Sequence, residues 1–419
     1  MTTLSRPLLQ WRRLKQKLWF RPAVWSLIAV AATITSYTAD SWFPERWVPK
    51  MDAGVVPNLL RILATSMLAV STFALSVLVQ AFASAANAGT PRATRLVVAE
   101  PRAQSAVGVF LASFNFAIIG VIAVGIGTWG PSALFALFLC AVAVIFRVIY
   151  AFLEYLQVLT RIGMVAHTIK TVEQATRSAL IARAESPLGG ANPAEHAPAG
   201  ALGLLADELG YVQLVDVTAL QKACEEFQVR AHVEVRTGDF VHPRSKLLSV
   251  SGVDALSKEL VAALRRAFIL GGARTVEQDG AYGLIVLGEV ALRALSPAVN
   301  DPGTAIAVIA SQTRLLLESL ARPTSPERDR HPLVSAAPVD PGIAIHLAYE
   351  PVTRAGAAVL EVQQQLLHHL EALACNTPEP AAARAREQAA RCIERARDGA
   401  MQPRDFAVLE AAYARAFRS

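Results

Sequence analysis

The chain has 419 residues, of which 53% are hydrophobic and only 18% are charged. A soluble globular domain carries about 25% charged residues, so this composition excludes an ordinary soluble protein. Long uncharged stretches fill roughly the first 160 positions, whereas charge is ordinary afterwards. The net charge of +6 therefore fits a membrane protein with basic flanks better than a nucleic-acid-binding protein.

Four stretches are long and apolar enough to cross a bilayer, whose ~30 Å hydrocarbon core takes roughly 20 helical residues. They cover about 22–39, 56–86, 104–128 and 132–153, within a transmembrane domain of residues 1–160. We predict a helix for each, because every backbone amide in a span must be hydrogen-bonded within the chain. No convincing small-x-small cleavage site follows the first stretch, so we interpret it as a span rather than a signal peptide.

Basic residues near the spans predict that both ends of the chain lie in the cytoplasm. Six Lys and Arg residues precede the first span, and Arg92, Arg95 and Arg102 lie between the second and third. The connection after the first span has mixed charge, and the connection 128–131 has none. The expected topology is therefore a multi-pass membrane protein with cytoplasmic N- and C-termini.

Beyond the spans we expect a cytoplasmic α+β domain, made of a small antiparallel β unit and a helical bundle. A helix and a flexible linker rich in Pro, Gly and Ala occupy 161–202. A small β-rich domain occupies 203–252, and a mainly helical domain occupies 253–419. Apolar and polar residues alternate strictly over 229–236, and two close turns follow, which indicates neighbouring antiparallel strands.

Within the mainly helical domain, the pattern predicts a helix over 254–270. The segment 343–349 is expected to be a strand that interrupts the helices. The proline-rich segment 322–339 is expected to be a loop, because proline cannot donate a backbone hydrogen bond.

Polar and small residues recur along the second span at steps of three, four or seven residues. At about 100° per residue they occupy one sector of roughly 80°. This polar stripe has two open interpretations: a tight helix–helix seam, or the lining of an aqueous pathway. The candidate pore-lining residues are Asn58, Thr65, Thr72, Ser76, Gln80 and Asn87.

A second distinctive segment, which we call the Asp301 corner, runs from Arg293 to Thr304. Pro297 ends one helix, and Asp301 can cap the next helix with Pro302 at its first position. The polar groups of this segment could only stabilise the turn between the two helices, or they could contact a ligand or another subunit. The candidate contact residues are Arg293, Ser296, Asn300, Asp301 and Thr304.

The sequence shows no catalytic or metal-binding pattern, so we expect no enzyme, no catalytic residue, no metal site and no cofactor. Residues 125–130 match a GxGxxG phosphate-binding motif, but they end a membrane span and run into Pro131. His368 and His369 lie next to each other on a predicted helix and point about 100° apart, which does not suit a shared metal ion. No nucleic-acid-reading module is recognised.

Three features together resemble a bacterial family of predicted membrane proteins, designated domain of unknown function 2254. They are the four-span N-terminal half, the elements YVQLVD (211–216) and GDFVHPRSKLL (238–248), and the string RALSPAVNDPGTA (293–305). The resemblance covers nearly the whole chain. It implies a protein of the bacterial inner membrane and carries over no activity or catalytic residue.

From these observations we expect a homo-oligomeric channel or pore-like transport protein. Its second span would line the pathway, and its cytoplasmic domain would form a vestibule or gate. Four spans with one polar face can hardly enclose a path alone, so several copies are needed. The expected partners are the lipid bilayer, further copies of the chain, and ions or small solutes. The alternative is a membrane-anchored sensory or scaffolding protein that binds a ligand or partner through the Asp301 corner.

Overall fold

The structure is a computed structural model. It describes residues 20–38, 48–49, 51–52, 54–88, 90–98, 101–160, 164–322, 331–340, 342–399 and 401–417. These residues group into two compact units. The helical unit lies within Gln10–Ala88 and Thr94–His167, and the C-terminal unit comprises Thr168–Ser419 with two short earlier segments.

The helical unit is built from long, mostly apolar helices around one hydrophobic core. Its central helix contacts each of the other three long helices. A Cβ atom at Gly120 of that central helix would lie 2.9 Å from Leu60 Cδ1, so glycine lets the two helices approach closely. The helices in this part of the chain are α1 (Phe20–Tyr37), α2 (Val55–Ala88), α3 (Pro91–Val98), the central α4 (Pro101–Ile126) and α5 (Pro131–Leu159).

Three of these helices are long and apolar enough to cross a membrane: Val55–Ser84, Ser105–Ile126 and Pro131–Leu159. The apolar stretch of α1, Ala23–Tyr37, is shorter than the roughly 20 residues that a crossing takes. Among the described residues there are thus three helices of membrane-spanning length, and the prediction of four is not confirmed. Residues 1–19 and 39–47, on either side of α1, lie outside the described part.

The C-terminal unit combines helices with two β-sheets. Its helices are α6 (Val165–Glu185), α7 (Val217–Phe227), α8 (Lys258–Arg265), α9 (Gly280–Ala294), α10 (Pro302–Leu320), α11 (Ile343–Ala355), α12 (Leu360–Asn376), α13 (Ala381–Asp398) and α14 (Pro403–Phe417). Its strands are β1 (Ala191–Pro193), β2 (Leu202–Leu205), β3 (Gly210–Val215), β4 (Arg230–Val233), β5 (Phe240–Val241), β6 (Lys246–Ser251), β7 (Phe268–Gly271) and β8 (His331–Ala336).

The first sheet has five strands in the order β1-β8-β4-β6-β2, and the second has three in the order β5-β3-β7. The second sheet is antiparallel, as expected. The first is mixed, because β8 pairs parallel to both β1 and β4. The strands β4 and β5, which we expected to be neighbours, belong to different sheets, because β4 pairs with β6 and β5 with β3. The two sheets draw strands from both sides of residue 252.

Three local predictions are wrong. Part of the expected loop 322–339 is strand β8, whose Val334 is fully buried between two parallel partners. The expected strand 343–349 is the start of helix α11, which buries Ile345, Ala348, Tyr349 and Val352 at helical spacing. The expected helix 254–270 contains α8 but ends at Arg265, and β7 follows.

The segment predicted to be a flexible linker is partly ordered by pairing. Its strand β1 forms the edge of the five-stranded sheet, with Ala191 opposite His331. Two glycines just before β1, Gly189 and Gly190, adopt φ angles of 64° and 91°. Glycine is favoured in this left-handed region because it has no Cβ atom. The glycines that indicated a flexible linker therefore form a tight turn before an edge strand.

Candidate functional site

The polar stripe lies on the exposed side of helix α2. Asn58, Thr65, Thr72, Ser76 and Gln80 are all exposed in the single chain. Asn87 falls in the last turn of α2, and its side chain lies outside the described part of the structure.

The buried side of α2 lies opposite the polar stripe. Leu60, Ala74 and Leu78 are almost fully buried, and each lies two residues along the chain from a member of the stripe. Two residues correspond to about 200° around a helix, so the stripe points away from the core. Tyr155 of α5 donates a hydrogen bond of 2.5 Å to the carbonyl oxygen of Ala74 and so fixes the buried side. Among the described helices of one chain, the stripe is therefore not a packing seam.

The members of the stripe differ in their hydrogen bonding. The Thr65 and Thr72 hydroxyls donate to backbone carbonyls of their own helix, at 3.0 Å to Arg61 and 2.9 Å to Leu68. Ser76 and Gln80 form no side-chain hydrogen bond with the described residues. These two side chains need water or a partner if α2 lies in a membrane.

The Asp301 corner connects α9 to α10 and is stabilised by its own polar groups. The Asp301 carboxylate accepts hydrogen bonds from Thr304, at 3.0 Å from the backbone N–H and 2.6 Å from the hydroxyl. These bonds hold the pKa of the Asp301 carboxyl below its usual value. The predicted helix cap is thus present, with Pro302 at the first position.

The other predicted residues of the corner lie close to the cap. Asn300 has a φ of 50°, in the left-handed region that asparagine tolerates better than most residues. The Ser296 hydroxyl donates to the carbonyl of Arg293 at 2.7 Å, and the backbone N–H of Asp301 donates to the carbonyl of Ala294 at 2.8 Å. The structure therefore brings all five residues together at a turn. Their contact with a ligand or subunit stays a prediction.

A cavity of about 440 Å³ in the C-terminal unit is the third candidate, and the sequence did not indicate it. It lies at the carboxyl ends of β3, β4 and β8 and beside the last turns of α6. Ligands of open α/β sheets commonly bind outside the carboxyl ends of parallel strands, and β4 and β8 are such a pair. We call it the Arg183 cavity, after the half-buried arginine of α6 that lines it.

Arg183 is the unusual charge of this cavity. Among the described residues it forms neither an ion pair nor a side-chain hydrogen bond. Burial lowers the pKa of its guanidinium, the nearby Arg236 lowers it further, and Asp279 raises it by a smaller amount. A half-buried charge without a close counter-ion is unfavourable, because burial removes hydrating water.

Most other charged groups near Arg183 already form hydrogen bonds or ion pairs with other residues. Asp279 accepts two hydrogen bonds from Arg274, at 3.0 Å from Nε and 2.6 Å from Nη2, while burial raises the pKa of its carboxyl. Glu185 pairs with Arg322 at 3.0 Å. The Arg236 guanidinium donates to the carbonyl of Pro338 at 3.2 Å.

A buried histidine, His232 of β4, also lines the cavity. Its Nδ1 lies 3.0 Å from the Ser335 hydroxyl oxygen of β8. Its Nε2 forms no hydrogen bond with the described residues and is thus the ring nitrogen available to a ligand.

Helical spacing is the sequence signal that could have revealed Arg183. Helix α6 buries Ile169, Val172, Thr176 and Ala179 at steps of three or four residues, and position 183 continues the series. A charged residue on the buried face of a helix needs a partner or a ligand.

The structure offers no obvious metal site in its described residues, where no three His, Cys, Asp or Glu side chains are grouped to hold an ion. Burial raises the pKa of the Cys224 thiol to about 11 and that of the Cys392 thiol to about 12. Both thiols are therefore protonated near neutral pH and are poor nucleophiles or ligands in that state.

Comparison with known proteins identifies the family. A family model described as "Predicted membrane protein (DUF2254)" matches residues 15–372, which is most of the chain. The chain belongs to this family. The DUF2254 region contains the polar stripe, the Asp301 corner and the Arg183 cavity, whereas α13 and α14 follow it.

Curated relatives of this DUF2254 protein occur in mycobacteria. An uncharacterized protein of Mycobacterium bovis and one of Mycobacterium tuberculosis are each 32% identical to the chain over 191 residues. The match covers 44% of the chain but only 37% of each relative's length. No solved structure matches the chain.

Proposed function

We propose that this DUF2254 protein is a homo-oligomeric channel or pore-like transport protein in which α2 of each copy lines the pathway. The observation that carries the proposal is the position of the polar stripe on α2, opposite the side that packs on its own chain. The described helices of the same subunit leave this face uncovered, so another copy, water or lipid can cover it.

The hydrogen bonds of the stripe support water as the covering medium. Thr65 and Thr72 satisfy their hydroxyls on their own helix and would tolerate lipid. Gln80 cannot do so at low cost, because an amide without a partner in hydrocarbon costs several kcal/mol, on the order of 4–8 on an alkane scale. A symmetric ring of α2 helices would place Ser76 and Gln80 of every copy around one axis.

The proposal includes the topology expected from the sequence. We propose that α1 completes a four-helix transmembrane domain in the bacterial inner membrane, with both termini in the cytoplasm. The C-terminal unit would then form a vestibule or gate on the cytoplasmic side. The stripe is uncharged, so it favours neither cations nor anions.

Cysteine accessibility tests whether water reaches the stripe. A suitable background lacks Cys140 and Cys375, since Cys224 and Cys392 are buried. In this background Ser76→Cys and its neighbour Leu75→Cys are compared, because both positions are exposed in the single chain. We expect a membrane-impermeant thiosulfonate to modify position 76 and not position 75.

Flux through reconstituted protein tests transport itself. We expect ion or solute flux in liposomes, with Gln80→Leu reducing it strongly and the lipid-facing control Val79→Leu leaving it unchanged. Absence of flux together with protection of position 76 in every condition would overturn the proposal.

A second candidate function is a membrane-anchored sensory or scaffolding protein. The Arg183 cavity favours it, because this cavity is large enough for a small molecule and contains an arginine without an ion pair among the described residues. Under this alternative the polar stripe would be a dry contact between subunits. Disulfide cross-linking of Ser76→Cys between copies, without thiosulfonate labelling of free protein, would favour it over the channel.

A further inference from the structure

The Arg183 cavity contains an arginine that forms no ion pair with the described residues, whereas neighbouring arginines of α6 and α10 do form such pairs. Arg177 of α6 pairs with Glu318 at 2.5 Å, and Arg314 of α10 pairs with Glu173 of α6 at 2.9 Å. Both pairs lie on the exposed side of α6, where an unpaired charge would cost little. Arg183 is more buried than Arg177 and yet lacks such a partner among the described residues.

The missing partner is not supplied by a nearby carboxylate. Asp279 is held by Arg274 through two hydrogen bonds, and its second oxygen accepts the backbone N–H of Tyr282 at 3.0 Å. The neighbouring Arg236 adds a second positive charge rather than a counter-charge. Two arginines and six carboxylates line the cavity, yet none of these carboxylates forms an ion pair with Arg183.

We propose that this cavity binds a small organic anion, whose carboxylate or phosphate group pairs with Arg183. A guanidinium donates two parallel hydrogen bonds to either group, which makes arginine suited to both. His232 adds a further polar side chain to the same lining. The volume of about 440 Å³ lies in the range of small-molecule sites, about 300–1,000 Å³.

The rest of the lining narrows the class of ligand. Carboxylates accept hydrogen bonds but repel negative charge. Six of them line the cavity: Glu185, Glu195, Asp216, Glu234, Asp239 and Glu277. A ligand that carries hydroxyl or amino donors beside its anionic group satisfies both the arginines and the carboxylates. We therefore assign the site to hydroxylated or amino-bearing anions rather than to simple inorganic ions. This inference does not depend on the channel proposal.

Thermal unfolding of the full-length protein in detergent provides the test. The probes are inorganic phosphate, citrate and glucose 6-phosphate, compared with chloride at equal ionic strength. We expect citrate or glucose 6-phosphate to raise the melting temperature in a saturable manner, and phosphate to do so weakly. Stabilisation by citrate alone identifies a carboxylate site, and stabilisation by glucose 6-phosphate alone identifies a phosphate site.

Variants of two arginines on α6 distinguish binding in the Arg183 cavity from a general effect of salt on stability. Arg183→Met should weaken binding, measured by calorimetry, at least ~10-fold, which corresponds to about 1.4 kcal/mol. Arg177→Met, a change of the same type outside the cavity, should leave affinity unchanged. Without ligand, Arg183→Met should raise the melting temperature, because it removes a half-buried charge that lacks a counter-ion.

Three results would overturn the inference. The first is that none of the three anions stabilises the protein beyond chloride. The second is that Arg183→Met retains the affinity of the unmodified chain. The third is that the ligand-free Arg183→Met variant folds but is less stable, which would assign Arg183 a structural role. If Arg183→Met does not fold, Arg183→Lys replaces it, since lysine keeps the charge and loses the two-pronged contact.

Discussion

Replacing Gly283 by alanine should destabilise the C-terminal unit, whereas the same replacement at Gly288 should stabilise it. Both glycines are buried in the interior of α9. A Cβ atom at Gly283 would lie 2.1 Å from the Thr176 hydroxyl oxygen of α6. At Gly288 the nearest atom would be 3.8 Å away, which is ordinary van der Waals contact. The two substitutions therefore differ in packing alone.

The expected change in the free energy of unfolding combines three contributions. Alanine in a helix interior is favoured over glycine by about 1 kcal/mol, and this gain applies at both positions. Overpacking a well-filled contact costs about 1–3 kcal/mol, and this cost applies only at Gly283. Thr176 is fully buried and donates its hydroxyl to the carbonyl of Val172 at 2.7 Å, so moving it aside sacrifices a bond worth about 1 kcal/mol. We expect a net loss of about 1–3 kcal/mol for Gly283→Ala and a gain of up to about 1 kcal/mol for Gly288→Ala.

Thermal unfolding of the full chain in detergent measures both effects. For a domain of this size, 1 kcal/mol corresponds to a shift in melting temperature of roughly 2–4 °C. A double variant, Gly283→Ala with Thr176→Ala, should recover part of the loss, because it removes the two Thr176 atoms at 2.1 and 2.7 Å from the added carbon and leaves the Cβ atom at 2.8 Å. Equal stability changes for the two glycine variants, or no coupling between positions 283 and 176, would refute the close packing of α6 on α9.

Four further predictions concern the Asp301 corner and the buried core. Asp301→Ala should lower stability by about 1 kcal/mol in thermal unfolding. Asp301→Asn should retain most of the native stability, because asparagine and aspartate can both cap a helix. Hydrogen bonds from Thr304 lower the pKa of the Asp301 carboxyl in the folded chain. The ionised carboxylate therefore stabilises the fold at pH values above the unfolded pKa of about 3.9, and this stabilisation is lost as the pH falls through the folded pKa. The stability difference between the native chain and Asp301→Ala should therefore shrink below about pH 4, and a constant difference would contradict this. Asn300→Gly should be nearly neutral, and Asn300→Val should cost about 1–2 kcal/mol, because the φ of 50° disfavours branched residues. Tyr349→Phe should cost about 1 kcal/mol in chemical unfolding, since it removes a buried contact of 2.7 Å with the Thr313 hydroxyl; an unchanged midpoint would exclude that hydrogen bond.

Structural features that depend only on residues close together in the chain could be predicted from the sequence. The second span, predicted over 56–86, is the helix Val55–Ala88, because a long apolar stretch has no alternative to internal hydrogen bonding in lipid. The cap at Asp301 was predicted for a similar reason, since proline and aspartate impose their preferences within a few residues. Family membership also followed from contiguous strings of residues.

Features that depend on distant parts of the chain could not be predicted. Strand β8 forms because β1 and β4 lie on either side of it, and both are far away in the sequence. The prolines of the segment 322–339 indicated a loop, and only tertiary pairing overrides that preference. The Arg183 cavity is of the same kind, because it is lined by segments from α6 to β8 that no local pattern connects.

The comparison of the Asp301 corner with Arg183 bears on where function should be sought in this fold. The corner is the most conspicuous polar string of the sequence, yet the carboxylate of Asp301 is already hydrogen-bonded to Thr304. Arg183 is inconspicuous in the sequence, yet no described residue forms an ion pair with it. Gln80 on the polar stripe is likewise without a partner among the described residues. Because a polar group that lacks a partner within its own chain is destabilising unless something outside the chain binds it, Arg183 and Gln80 are better guides to ligands, water or further subunits than the corner is.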